Sequence, residues 1–85
     1  MNRFFRLGKK VTSVDLNKIF ISSEAADLIS PNIARRYCLI PVSLEQDKLY
    51  VAMKEPYNFI AIEDVRRASG YDVIPLAASG QDIEH

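Results

Sequence analysis

The chain has 85 residues, with eleven basic side chains balanced by eleven acidic ones, 48% hydrophobic and 26% charged content. This is the composition of one small folded domain that buries roughly 60–65% of its unfolded surface; it is neither a disordered tail nor the basic chain of a dedicated nucleic-acid binder. The lone Cys38 has no internal disulfide partner, which points to a reducing cytoplasm, and no apolar run approaches the ~20 residues of a membrane-spanning helix.

Residues 1–21 open with MNRFFRLGKK, which has no apolar core of signal-peptide length. Val14, Leu16, Ile19 and Ile21 fit neither a helical nor a strand period, so an extended or linker segment lying against the domain is expected. From 22 to 85 the signals are those of one folded domain. Ser22 or Ser23 caps a short helix, with Glu24 in its positively polarised first turn and Ala25, Leu28 and Ile29 on a buried stripe. Ser30-Pro31 restarts the helix, since proline is at home in the first turn. Ile33, Ala34, Tyr37 and Cys38 form the next apolar stripe, leaving Arg35 and Arg36 outward.

At Pro41 the periodicity switches. Ile40, Val42 and Leu44 alternate with Pro41 and Ser43, Glu45–Lys48 is a polar turn, and Leu49, Val51 and Met53 alternate with Tyr50 and Ala52: a hairpin, ended by Pro56. Asn58 caps a helix running to about Ser69. Phe59, Ile62 and Val65 are expected on its inner side, with Ala61 and Ala68 beside them, while Glu63, Asp64, Arg66 and Arg67 face water. Gly70 fits the left-handed position after it. A last strand, Tyr71–Leu76, contains Pro75 and is therefore expected at an edge. Ser79-Gly80-Gln81-Asp82 reads as the cap of a further helix whose body lies past His85, so a longer parent protein is expected.

The string is α-α-β-β-α-β-(α), an α+β sandwich. Its simplest closure returns the third strand beside the first and parallel to the second, giving strand order 2-1-3 under packed helices. The expected inner residues are Ile33, Tyr37, Ile40, Val42, Val51, Phe59, Ile62 and Val65.

Residues Ile29, Pro31, Ala34-Arg35-Arg36-Tyr37, Ile40-Pro41-Val42, Leu49, Val51-Ala52-Met53, Pro56, Asn58, Ala61-Ile62, Asp64-Val65-Arg66, Gly70, Val73, Pro75 and Ala78-Ser79 follow a family pattern in unbroken order. On them, about two-thirds of the chain resembles the N-terminal domain of type II secretion and type IV pilus assembly ATPases, the GspE/PilB type. Glu55 where the family usually has Asp, and Ser69 where it has Thr, are mild departures. The resemblance implies a domain that docks a hexameric motor onto cytoplasmic parts of an inner-membrane platform, peripheral to the membrane through that partner. The ATPase domain would lie elsewhere in the parent: no GxxxxGK[ST] phosphate loop occurs here, and Gly8-Lys9-Lys10 lacks both the first glycine and the hydroxyl residue.

Several constellations carry possible chemistry. Arg35, Arg36, Arg66 and Arg67 could meet carboxylates of a docking partner, where planar guanidinium forks excel; the alternative is a solvated face paired with Glu63, Asp64 or Asp72. Some relatives carry tandem RLG-headed motifs that bind cyclic di-GMP. Arg6-Leu7-Gly8 matches that head and Val11 an apolar slot, but the later glycine and the second copy are absent. Cyclic di-GMP sensing is thus the competing function class. Cys38 reads as a small core residue. One histidine, His85, and one cysteine supply neither a metal set nor a catalytic triad, so no catalytic residue, metal or cofactor is expected.

Overall fold

The computed structural model describes residues 12–15 and 20–78. Its elements are α1 (Ser23–Ala26), α2 (Pro31–Tyr37), β1 (Leu39–Glu45), β2 (Lys48–Met53), α3 (Phe59–Ser69) and β3 (Asp72–Ala77). The caps are those the sequence prescribes. The Ser22 hydroxyl accepts from the Ala25 N–H, Ser30 accepts from Ile33 with Pro31 in the first turn, and Asn58 accepts from Ile60 and Ala61. Gly70 ends α3 at φ 81°, in the left-handed region.

The architecture is the expected α+β one, a three-stranded mixed sheet with helices packed on it, but the strand order is β1-β2-β3 and not 2-1-3. β1 pairs antiparallel with β2, and β3 lies parallel to β2 on its other side. The correction has a simple cause. The hairpin occupies one flank of β2 and leaves the other open, and the α3 crossover delivers β3 directly to that open flank. The far side of β1 is already used: the Ser22 N–H donates to the Val42 carbonyl at 2.8 Å.

Pro75 does sit on an edge strand, paired by position with Val51. In a parallel strand the N–H and C=O of one residue point to the same side. Ala78 donates to Met53 on β2, whereas Ala77 donates to Thr12 and accepts from Val14 on the outside. Alternation puts Pro75, like Ala77, facing away from β2, so its missing donor costs the ladder nothing.

The hairpin departs from simple alternation. A register shift between Pro41 and Ser43 leaves Val42 out of step as a β-bulge. An extra residue reverses the parity of everything after it. Leu39 and Leu44, five positions apart, therefore pack into the same cluster, while Val42 joins Ala52 and Leu76 on the other face. The expectation that Ile40, Val42 and Leu44 share one face is corrected accordingly. The turn itself is two residues, Gln46-Asp47, with Gln46 at φ 59°, as a tight hairpin demands of its first central residue.

Ala25, Ile29, Leu39, Leu49, Val51, Met53, Ala61 and Val65 form the main core between the sheet and the helices. Of the expected inner residues, Val42, Val51 and Val65 are buried, and Ile33, Tyr37, Ile40 and Ile62 are half-buried. Phe59 is the exception at 79% exposed, and Ala68 is exposed as well. The contact stripe of α3 is centred on Ala61 and Val65, both fully buried; Phe59 follows the line of Glu63 and Arg66 instead. Cys38 is also reassigned. Helix α2 ends at Tyr37, and Cys38 is its left-handed cap at φ 52°, half-buried, its carbonyl accepting from Lys54. The strand begins at the very next residue, so the chain must reverse within one position.

Val51→Ala removes two methyl groups from a fully buried site and should cost about 1–3 kcal/mol, read from denaturant midpoints at unchanged slope. Gly70→Ala should cost about 1 kcal/mol from backbone strain alone, since an added Cβ meets nothing within 4 Å.

Candidate docking face

The four candidate arginines lie on α2 and α3 in two different settings. Arg66 pairs with Glu63 at 3.1 Å and Arg67 with Asp64 at 2.7 Å, both one turn back along α3. Arg35 donates to the Asn32 side chain at 3.0 Å within α2. The two helices meet where the Tyr37 hydroxyl donates to the second Asp64 oxygen at 2.5 Å. One carboxylate thus joins the end of α2 to the middle of α3, and Arg36 adds its positive field there. These exposed pairs are screened by solvent, so they orient the guanidinium groups more than they stabilise the fold.

Electrostatically this junction is the distinctive spot. The Tyr37 hydrogen bond, helped by Arg67 and Arg36, holds the Asp64 carboxyl below the usual carboxylate range against partial burial. Donating to that carboxylate, together with partial burial, pushes the Tyr37 hydroxyl up. The Arg66 guanidinium is held up by Glu63, with Asp72 adding to it.

The outward side of α3 also carries what sequence reasoning missed. Phe59 is 79% exposed and Ile60 69%; beside them Tyr57, a tyrosine whose polar tip already suits it to an interface, is 69% exposed. The signal was present: Phe59 shares its line on the helix with the charged Glu63 and Arg66, and Ile60 with Asp64 and Arg67. Among the described residues no group of three His, Cys, Asp or Glu side chains converges as a metal site would, and no helix is long and apolar enough to cross a membrane. Arg6, Leu7 and Gly8 lie outside the described residues.

Asp64 supplies a test of the junction. Its pKa is lowered on folding, so its contribution is complete above the unfolded value near 3.8 and disappears as pH falls below it. Asp64→Asn should lower the melting temperature at pH 7, and the difference from wild type should shrink toward pH 3.

The MshEN domain model matches residues 7–85. The type IV pilus assembly ATPase PilB of Myxococcus xanthus is 26% identical over 73 residues, covering 86% of this chain and 13% of PilB. PilB of Thermus thermophilus is 37% identical over 57 residues, 61% of this chain and 6% of its own length. A structure of MshE with cdg superposes with a TM-score of 0.79 at 21% identity, covering 87% of this chain and 54% of that one. The N-terminal domain of XpsE, in crystal form I4122, gives 0.76 at 20% identity, covering 87% and 53%. The chain therefore spans about half of these solved neighbours and a small fraction of the two PilB proteins. With the family model covering nearly all of it and the fold shared with both neighbours, the chain belongs to the MshEN domain family, the N-terminal domains of pilus-assembly and secretion ATPases.

Proposed function

We propose that this domain is a non-catalytic docking module that positions a type II secretion or type IV pilus motor on its inner-membrane platform. The observation that carries the reading is the exposure of Tyr57, Phe59 and Ile60 together at the start of α3; among the described residues the other exposed large apolar side chains are Phe20 and Ile21, ahead of α1. Such a patch marks a surface that meets something. The side chains around it are arginines and carboxylates paired with one another, an arrangement suited to binding and not to bond making. In this reading the domain works in the cytoplasm, reaches the membrane only through its partner, and needs no cofactor of its own; nucleotide hydrolysis belongs to another domain of the parent.

A second reading, cyclic di-GMP sensing, is favoured by one observation: a structural neighbour, MshE, is known with cdg. The Arg6-Leu7-Gly8 head is the part of this chain that would take the nucleotide. Against it stands the missing later glycine after Arg6-Leu7-Gly8.

Calorimetry separates the two. The chain should bind the cytoplasmic domain of the platform protein encoded with its parent ATPase, and should bind neither ATP nor cyclic di-GMP tightly. Tight cyclic di-GMP binding abolished by Arg6→Ala would establish sensing instead. Binding of Arg35→Ala, Arg36→Ala, Arg66→Ala and Arg67→Ala at two ionic strengths then sorts the arginines. Loss of a rim arginine should slow association at low salt, and loss of a buried, carboxylate-paired one should speed dissociation and cost ~2–5 kcal/mol.

A further inference from the structure

Helix α3 presents its two ends differently to solvent. With Ala61 and Val65 fully buried, the opposite side of the helix falls between Phe59 and Ile60 at the start, runs past Glu63, and reaches Arg66 and Arg67 in the last turns. The first end is apolar and the last end cationic, and about 10 Å of helix rise separates them. The carboxylates do not cancel the cations at the surface. The Arg67 side chain is 70% exposed against 26% for Asp64, and Arg66 53% against 48% for Glu63. The Arg67 guanidinium therefore stands outside its carboxylate, since Asp64 is turned inward to Tyr37, while Arg66 and Glu63 are about equally exposed.

From this we infer that the outer face of α3, with Tyr57, Phe59 and Ile60 at one end and Arg66 and Arg67 at the other, receives an amphipathic segment of a partner protein. That segment presents apolar side chains followed, about two helical turns away, by carboxylates. The inference rests on the docking reading and supplies its surface and the chemistry of the partner.

A second copy packed through this face would bring the same apolar and cationic ends and no unpaired carboxylate, so it offers Arg66 and Arg67 no acidic complement. Exposed aromatic residues beside arginines are what protein interfaces concentrate at their centres.

The test measures binding of the 85-residue chain to the platform protein's cytoplasmic domain, comparing wild type with Phe59→Ser/Ile60→Ser, Arg66→Ala/Arg67→Ala, and an Asp47→Ala/Lys48→Ala control at the hairpin tip. The apolar pair should weaken binding about tenfold or more, mainly through faster dissociation. The arginine pair should weaken it less and flatten its salt dependence. The control should bind as wild type. Phe59 and Ile60 are exposed, so the double variant should melt like wild type; Ile60→Ser alone replaces it should the pair unfold. Failure of the unaltered chain to bind removes docking and this face together. Binding that survives the Phe59 and Ile60 changes removes the face and leaves docking by another surface. Arginine variants that match wild type at both ionic strengths overturn the acidic character of the partner. Self-association by sedimentation, or binding to phosphatidylglycerol-containing vesicles, if abolished by the Phe59 and Ile60 changes, overturns the choice of occupant.

Discussion

Strand β2 is covered on both faces, and the rest of the domain is arranged around that fact. Leu49, Val51 and Met53 are fully buried under the helices, and Ala52 is equally buried on the reverse face. A strand so enclosed needs hydrogen-bonded neighbours on both flanks, because the backbone groups along its buried stretch from Val51 to Met53 are out of reach of water. The hairpin supplies one neighbour and the α3 crossover the other. The small Ala61 at the centre of the contact stripe lets α3 lie close over the sheet, and that placement turns Phe59 and Ile60 outward.

Much of the fold was legible because local chemistry determines it. Ser22, Ser30 and Asn58 announce helix starts through side chains that satisfy free N–H groups, and Gly70 announces a stop through its left-handed backbone. Strand order is a different kind of information. It depends on which flank of β2 is free once the hairpin has formed, and no short-range signal reports this. The bulge at Val42 is equally silent, since Ile40, Val42 and Leu44 read as alternation whether or not a residue is inserted. Cys38 in a left-handed cap was hidden because its side chain gives no reason to expect that backbone.

The candidate face was partly legible. The arginines were visible as an outward set, and the intrahelical partners of Arg66 and Arg67, Glu63 and Asp64, follow from spacing alone. The Tyr37–Asp64 contact was not, because it joins residues 27 positions apart through tertiary packing. Phe59 was read through its hydrophobicity when its helical phase carried the better information, and Ile60 was not assigned to either side. A residue's neighbours at i+4 and i+7 say which way it points, and here those neighbours are charged.

Pro75 has a consequence for how such a domain recognises anything. An incoming strand laid along β3 would find no donor at Pro75, and would meet Thr12–Val14 already bonded at Ala77. On the far side, the Val42 carbonyl is taken by Ser22. Backbone pairing, which accepts almost any extended peptide, is thus obstructed at both margins of the sheet. An approaching chain is left with side chains, where one substitution can retune a fit without touching the hydrogen-bonded frame beneath.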